Sequence, residues 1–121
     1  MAKASEFSEA VRYLIDLRAG GRCEVSGRIT DEVQYHHRRP RGMGGTSRPE
    51  TGMAANGLRV ALDIHELIEG RNGGSRVESL RHGWLVEQNA DPEACRVELW
   101  DGWFLLNNQG RRKEVKARKG V

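Results

Sequence analysis

The stretch between His37 and Asn56 most constrains what this chain can fold into, because residues 38–55 show no helical or strand period. Its turn-forming residues are Pro40, Gly42, Gly44, Gly45, Pro49 and Gly52. Connections of this length without secondary structure are uncommon in small domains, and those that occur are usually functional or disordered. The pattern therefore indicates a functional or a disordered loop, with regular elements on both sides of it.

Upstream of this loop the sequence predicts one helix and one strand. Apolar residues at helical spacing predict an amphipathic helix over about residues 5–18, which Gly20 and Gly21 end. The residues that carry this period are Phe7, Val11, Leu14 and Ile15. Alternating apolar and polar residues then predict a half-buried strand over residues 29–37, which ends at the adjacent His36 and His37.

Downstream of the loop we expect a short extended segment at residues 58–62, followed by two short helices. Asp63 with Glu66 has the form of a capping box, which puts His65 in the first turn of the first helix. Ser75 with Glu78 repeats this pattern for the second helix, which Gly83 can end.

The C-terminal third has the composition of strands and turns. Residues 84–86 could start a strand, and residues 96–100 and 103–106 flank Asp101-Gly102, the strongest short hairpin signal in the chain. Trp84, Trp100 and Trp103 are expected to pack in the core or the hairpin rather than to stack on bases. The basic tail at residues 111–121 is poor in apolar residues, and we expect it to be frayed.

Length and charge predict one domain with a polyanion-binding face. The 121 residues suffice for a single compact domain (1–121) with a modest core. Lys and Arg total 20 against 17 Asp and Glu, so the net charge of +3 predicts no particular partner. The basic residues are nevertheless clustered in the loop and in the tail, and such clusters suit a phosphate-binding surface.

Two isolated cysteines, Cys23 and Cys95, give neither a disulfide framework nor a CxxC metal knuckle. The sequence has no apolar run long enough for a membrane span and no signal-peptide pattern. We therefore expect a cytoplasmic protein that does not interact with membranes.

The order of strand, His-His, loop, Asn, extended segment and His-bearing helix resembles the HNH endonucleases. The run from His36 to Thr46, followed by Arg48-Pro49-Glu50, is similar to the small HNH proteins of tailed actinobacterial phages. The likeness covers about residues 7 to 110. It implies an α+β fold with a ββα-metal core over about residues 29–70, an N-terminal helix, and a C-terminal β-hairpin within residues 75–110.

The resemblance also implies a role for each residue of the motif. His36 and His65 would bind one divalent metal ion (Mg²⁺, Mn²⁺, Ni²⁺ or Zn²⁺), and His37 would be the general base that takes a proton from water. The amide of Asn56 would tie the loop backbone together and hold the base in register. Glu69, one helical turn after His65, is either a further ligand or an ordinary exposed acid.

Other polar residues near the motif have two interpretations. Four loop arginines are expected to hold DNA phosphates, although a solvated charge run is the alternative: Arg38, Arg39, Arg41 and Arg48. His82 is expected at a helix C-terminus, where a cation is mildly favoured, rather than in catalysis.

The sequence departs from many of these phage proteins at their structural zinc. Where relatives carry a CxxC pair, this chain reads Cys23-Glu24-Val25-Ser26, and Ile64 stands where a cysteine often precedes the helical histidine. We therefore expect no structural zinc. Instead, Val25 and Ile64 are expected to extend an apolar cluster with Leu58, Val60 and Leu67.

Together these features predict a metal-dependent endonuclease that leaves 5′-phosphate and 3′-hydroxyl ends on DNA. The family likeness places it in phage DNA processing or packaging, with terminase as a possible partner, in the host cell cytoplasm. Two alternatives remain: a catalytically silent DNA-binding module that retains the fold, and an accessory protein whose main task is to bind terminase.

Overall fold

The protein is a small α+β fold with three helices and two antiparallel sheets, seen in a computed structural model that describes residues 6–41 and 48–117. The tail residues 118–121 and the loop residues 42–47, which carry the Gly-Met-Gly-Gly-Thr part of the predicted motif, lie outside the described residues. None of the helices in the described part of the chain has the length and apolar character needed to cross a bilayer.

Helix α1 (Glu9–Ala19) confirms the predicted N-terminal helix, with one change at its start. The side chain of Ser8 caps the helix by accepting a hydrogen bond from Val11 N, and Gly20 ends it in the left-handed conformation. Phe7 therefore lies before the helix, although its spacing suggested that it was part of it.

Strands β1 (Val33–His37) and β2 (Gly57–Ala61) form a two-stranded antiparallel sheet, and helix α2 (Leu62–Ile68) follows directly. The register pairs His37 with Gly57. Two short 3₁₀ turns, Pro49–Gly52 and Ala54–Asn56, lead from the loop into β2. The order and pairing of β1, β2 and α2 bring the residues on both sides of the long loop together.

The capping box predicted for α2 is wrong. The helix starts at Leu62, after Ala61, without a side-chain cap. Asp63 lies inside the first turn, where its carboxylate accepts hydrogen bonds from the exposed side chain of Arg28. The arginine, 35 residues away in sequence, competes for the carboxylate that the local pattern assigned to the cap.

Helix α3 (Arg76–Arg81) has the predicted cap, because Ser75 Oγ accepts from Glu78 N at 3.1 Å. His82 follows as the C-cap residue, as expected. The strand suggested at residues 84–86 is absent: this segment runs without strand pairing. It is instead held by single backbone bonds, among them Val86 N to Arg38 O at 2.9 Å.

The C-terminal sheet consists of β3 (Val97–Leu99), β4 (Gly102–Leu106) and β5 (Arg112–Val115) in that order. The hairpin is confirmed, but the register pairs Leu99 with Gly102, so the turn residues are Trp100 and Asp101. The expectation of a frayed tail is wrong as far as Val115, because β5 pairs with β4 along its whole length. Backbone pairing requires no apolar side chains, which explains why composition did not reveal this strand.

The main core lies between the two sheets and the helices. Its largest fully buried apolar members are Leu58, Val60, Ile68, Val97 and Leu106. Val25 and Ile64 pack against it as predicted, whereas Leu67 is 37% exposed and Ile68 takes its place. A second, smaller cluster of Phe7, Ile15 and Ala54 joins α1 to the start of β2.

Candidate metal centre and active-site cleft

An open cleft of about 290 Å³ lies where β1 ends beside α2. It is lined by Tyr35, His36, His37, Pro40, Arg41, His65, Glu69 and Leu85. Both histidines of the adjacent pair border this cleft, although neighbouring strand residues point to opposite faces. The strand ends at His37, so the pair lies at the rim of the sheet.

Three residues of the cleft could hold a metal ion. His36, His65 and Glu69 each offer one ligand atom, and these three atoms all lie within 4.8 Å of one another. The His36 and His65 rings meet edge to face with their centroids 5.1 Å apart, and His65 Nε2 lies 3.2 Å from Glu69 Oε1. The structure thus groups Glu69 with the two histidines.

The hydrogen bonding of His36 determines which of its nitrogens is available. Its Nε2 lies 2.7 Å from the backbone oxygen of Trp84, which can only accept, so Nε2 carries the proton. Burial lowers the pKa of His36 to about 3, which keeps the ring neutral at pH 7. Its Nδ1 therefore presents a lone pair, and it is a buried atom with no hydrogen-bond partner among the described residues. An unpaired buried nitrogen beside His65 and Glu69 fits a metal ligand.

His65 is oriented by a residue that the sequence analysis missed. Its Nδ1 is in hydrogen-bond contact with Gln34 Oε1, which leaves Nε2 to face Glu69. Burial is the main cause that lowers the pKa of His65, against the opposing charge of Glu69. Gln34 and His36 are two positions apart on β1, so strand alternation could have placed both on the face that meets α2.

His37 lies on the other side of the strand, towards α1. Its ring stacks on Phe7 with a centroid separation of 4.0 Å and an interplanar angle of 12°. Tyr35 shares this face, and its hydroxyl donates to the Asp16 carboxylate at 2.8 Å. Burial, followed by this hydrogen bond, raises the pKa of Tyr35. The predicted ligand His36 thus contacts α2, whereas the predicted base His37 contacts the segment that precedes α1.

Asn56 makes the backbone bonds that the family resemblance implied. It is fully buried, and its Oδ1 accepts from Arg39 N at 2.6 Å. Its Nδ2 donates to Arg39 O at 3.1 Å and to Thr51 O at 2.9 Å. Arg38 N also donates to Asn56 O at 2.7 Å. These bonds close the base of the long loop immediately after His37.

The structure corrects the phosphate-binding role expected for Arg38. This side chain is fully buried, and its guanidinium donates to the backbone oxygens of Gly83, Ala55, Pro92 and Cys95 at 2.8–3.1 Å. Burial lowers the pKa of Arg38 to about 10, so the group stays charged at pH 7. Its role is to join the end of β1 to the C-terminal half of the chain.

Arg39 is corrected for the same reason. It is also fully buried, and it donates to Ala90 O at 3.0 Å and to the hydroxyl of Thr51. Of the four arginines, Arg41 and Arg48 keep their side chains partly exposed. Arg41 lines the cleft, and Arg48 lies 3.2 Å from Glu50 and donates to Gln88 O.

His82 and Trp103 lie where the sequence predicted them, whereas Trp100 is exposed at the hairpin turn. His82 stacks on Trp84 with centroids 4.6 Å apart and lies outside the residues that line the cleft. Trp103 is buried in the hairpin, while Trp100 is 48% exposed at its turn, under the guanidinium of Arg22.

Comparison of the chain with family models, with curated proteins and with solved structures gave no match.

Proposed function

We propose that this protein is a divalent-metal-dependent endonuclease of the HNH type that hydrolyses DNA phosphodiester bonds. The observation that carries the proposal is the composition of one cleft: a group of His36, His65 and Glu69 that could hold a metal, with His37 beside it. The sequential order of β1, β2 and α2 supports the interpretation of this region as a ββα-metal core.

The ligand set supports a divalent ion bound by His36 Nδ1, His65 Nε2 and a Glu69 oxygen. Two nitrogens and one carboxylate suit Mn²⁺, Ni²⁺ or Zn²⁺, while Mg²⁺ prefers oxygen ligands. Three protein ligands leave coordination positions for substrate. A bound divalent ion would supply Lewis-acid stabilisation of the negative charge that builds on the phosphate and on the leaving oxygen.

His37 acts as the general base in this proposal. A ring nitrogen of His37 takes a proton from water as the water oxygen bonds to phosphorus. The bond between phosphorus and O3′ breaks, O3′ takes a proton from solvent water, and the products carry a 5′-phosphate and a 3′-hydroxyl. Asn56 contributes by fixing the backbone that follows His37, so that the base keeps its place at the cleft.

Arg41 is the arginine best located to contact a DNA phosphate, because it lines the cleft and its side chain is 41% exposed. Its distance of 3.8 Å to Glu6 describes a weak surface pair that phosphate can replace. A role in phage DNA packaging with terminase belongs to the same proposal and rests on the family resemblance.

The test is cleavage of supercoiled plasmid with Mg²⁺, Mn²⁺, Ni²⁺ or Zn²⁺, and with EDTA as the control. His37→Ala should lose most cleavage while its metal affinity by calorimetry stays near wild type. Glu69→Gln and His65→Ala should lose both, because they remove ligands. His82→Ala, a histidine outside the cleft, is the matched control and should keep both.

Intact plasmid with every metal, with and without added terminase, would reject the enzyme in favour of a DNA-binding or terminase-accessory protein. Equal loss of metal binding in His37→Ala and His65→Ala would reject the assigned roles instead.

A further inference from the structure

We propose that Phe7 is a positioning residue for His37, which rests on the proposed role of His37 as general base. The two rings are nearly parallel, at 12°, and their centroids are 4.0 Å apart. Phe7 is 4% exposed and lies just before the Ser8 cap of α1. A segment that precedes the first helix therefore reaches the end of β1 and covers one face of the imidazole.

Gly57 makes this approach possible. It lies opposite His37 in the β1–β2 register. A Cβ at Gly57 would fall 2.5 Å from Ile15 Cδ1, so that side chain would have to move, and 3.0 Å from Phe7 Cζ, which is tighter than an ordinary van der Waals contact. The glycine is needed here for space rather than for its backbone angles, since its φ is −106°. Ile15 and the Phe7 ring pack into the space that a side chain at Gly57 would need.

The position of Phe7 is fixed by the packing of α1. Phe7 shares a buried cluster with Ile15 and Ala54. From the same helix, Arg18 donates to Gly57 O at 2.6 Å and to Ala54 O at 3.0 Å. Both apolar and polar contacts therefore anchor α1 to the start of β2, and the shared apolar cluster holds Phe7 beside His37.

A stacked ring limits how far the imidazole can rotate. Correct orientation of a base is a large part of its effect, and small displacements can cost up to about 100-fold in rate. The expected consequence of losing the stack is a lower kcat, with little change in KM or in metal affinity.

The test compares Phe7→Leu, which keeps an apolar side chain but no flat ring, with Val11→Ala. Val11 packs against the same cluster, so its truncation lowers stability without removing the stack. Phe7→Leu should lower kcat about tenfold, while Val11→Ala should leave it within about twofold of wild type. In the His37→Ala background, Phe7→Leu should cause no further loss of the residual cleavage.

A spectroscopic measurement accompanies the kinetics. The carbon-bound ring protons of His37 should be shifted upfield by the Phe7 ring current, and Phe7→Leu should abolish that shift. Unchanged kcat in Phe7→Leu, or an equal loss with and without His37, would overturn the positioning role while the nuclease proposal stands. A wild-type protein that cuts no DNA would overturn both.

Discussion

His36 Nε2 lies 2.7 Å from the backbone oxygen of Trp84, 48 residues further along the chain. The segment that carries this oxygen follows α3 and is held by Leu85 N to Ser79 O at 3.1 Å and by Val86 N to Arg38 O at 2.9 Å. The carbonyl fixes the tautomer that leaves His36 Nδ1 as the lone-pair nitrogen. The candidate metal centre therefore depends on the second half of the chain as well as on β1 and α2.

Gly83→Ala should disturb this arrangement. Gly83 has a φ of +75°, and a Cβ there would fall 1.9 Å from Arg96 O, so the segment must shift. Gly20→Ala is the matched control: φ is +62° and nothing lies within 4 Å, so only a backbone strain of about 1 to 2 kcal/mol is expected. Urea unfolding should show the larger loss in Gly83→Ala, and calorimetry should show weaker Mn²⁺ binding in that variant alone. Equal losses in both would contradict the argument.

Gln34→Leu should weaken metal binding although Gln34 is exposed and is not a ligand. Removal of the acceptor on His65 Nδ1 frees the ring to rotate, and such outer contacts typically contribute about 10- to 100-fold in metal affinity. Gln34→Glu keeps an acceptor oxygen and should retain wild-type affinity or exceed it. Calorimetric titration of both variants tests this, and an unaltered affinity in Gln34→Leu would show that the contact has no orienting role.

Short-range sequence patterns correctly predicted two helix ends and one hairpin. The caps at Ser75 and Gly20 and the hairpin around Asp101 each depend on residues within a few positions of one another, and all three are present. The grouping of His36 with His65 agrees with the family resemblance, because an antiparallel pair followed at once by a helix brings them together.

Long-range contacts account for what the sequence analysis missed. Arg38 stands in a basic stretch of sequence that is typical of an exposed loop. Its side chain is nevertheless in the interior, where it donates hydrogen bonds to four carbonyl oxygens from distant segments. The Trp84 oxygen has no sequence signature because every residue carries a carbonyl. The contact between Phe7 and His37 depends on how α1 packs, which helical spacing does not reveal.

Asn56→Ala should be strongly destabilising. The substitution leaves Arg39 N and the oxygens of Arg39 and Thr51 without this partner in the interior. Each unpaired buried group costs about 1–3 kcal/mol, so the loss of the partner for three groups is expected to cost at least about 3 kcal/mol. Asn89→Ala, at an exposed asparagine, should change stability by less than about 0.5 kcal/mol. Urea unfolding of both checks the difference, and a similar midpoint in the two would refute it.

The hairpin should lose stability in acid through Asp101. Arg112 donates two hydrogen bonds to its carboxylate, at 2.8 and 2.6 Å, and these lower the pKa of Asp101. The folded pKa lies below the unfolded value of about 3.9, so the pair stabilises the fold above about pH 4, and this contribution is lost as pH falls through the folded pKa. The pair is partly exposed, and about 1 kcal/mol or less is expected. The difference in unfolding free energy between wild type and Asp101→Asn should be constant from about pH 7 to 5 and shrink below about pH 4; a constant difference down to pH 3 would argue against it.

Chelation should remove metal from the cleft without unfolding the protein. Cys23, which the proposed family resemblance aligns with the first cysteine of a zinc knuckle, is fully buried, and its Sγ accepts a hydrogen bond from Ser26 N at 3.4 Å. Val25, which lies between the two CxxC positions, and Ile64, which stands where a cysteine often precedes the helical histidine, pack against the apolar core instead, where a fully buried aliphatic side chain contributes about 1.5–3 kcal/mol. Apolar packing thus stabilises the region that zinc would otherwise stabilise, so we expect at most one metal per chain, held by His36, His65 and Glu69.

Thermal melts with and without EDTA should both show a cooperative unfolding transition. The midpoint temperature in EDTA should be lower only to the extent that the bound cleft metal stabilises the fold. Elemental analysis of the Glu69→Gln, His65→Ala double variant supplies the decisive control. A zinc near one equivalent that persists in this variant, together with unfolding on its removal, would demonstrate a structural zinc site elsewhere in the chain.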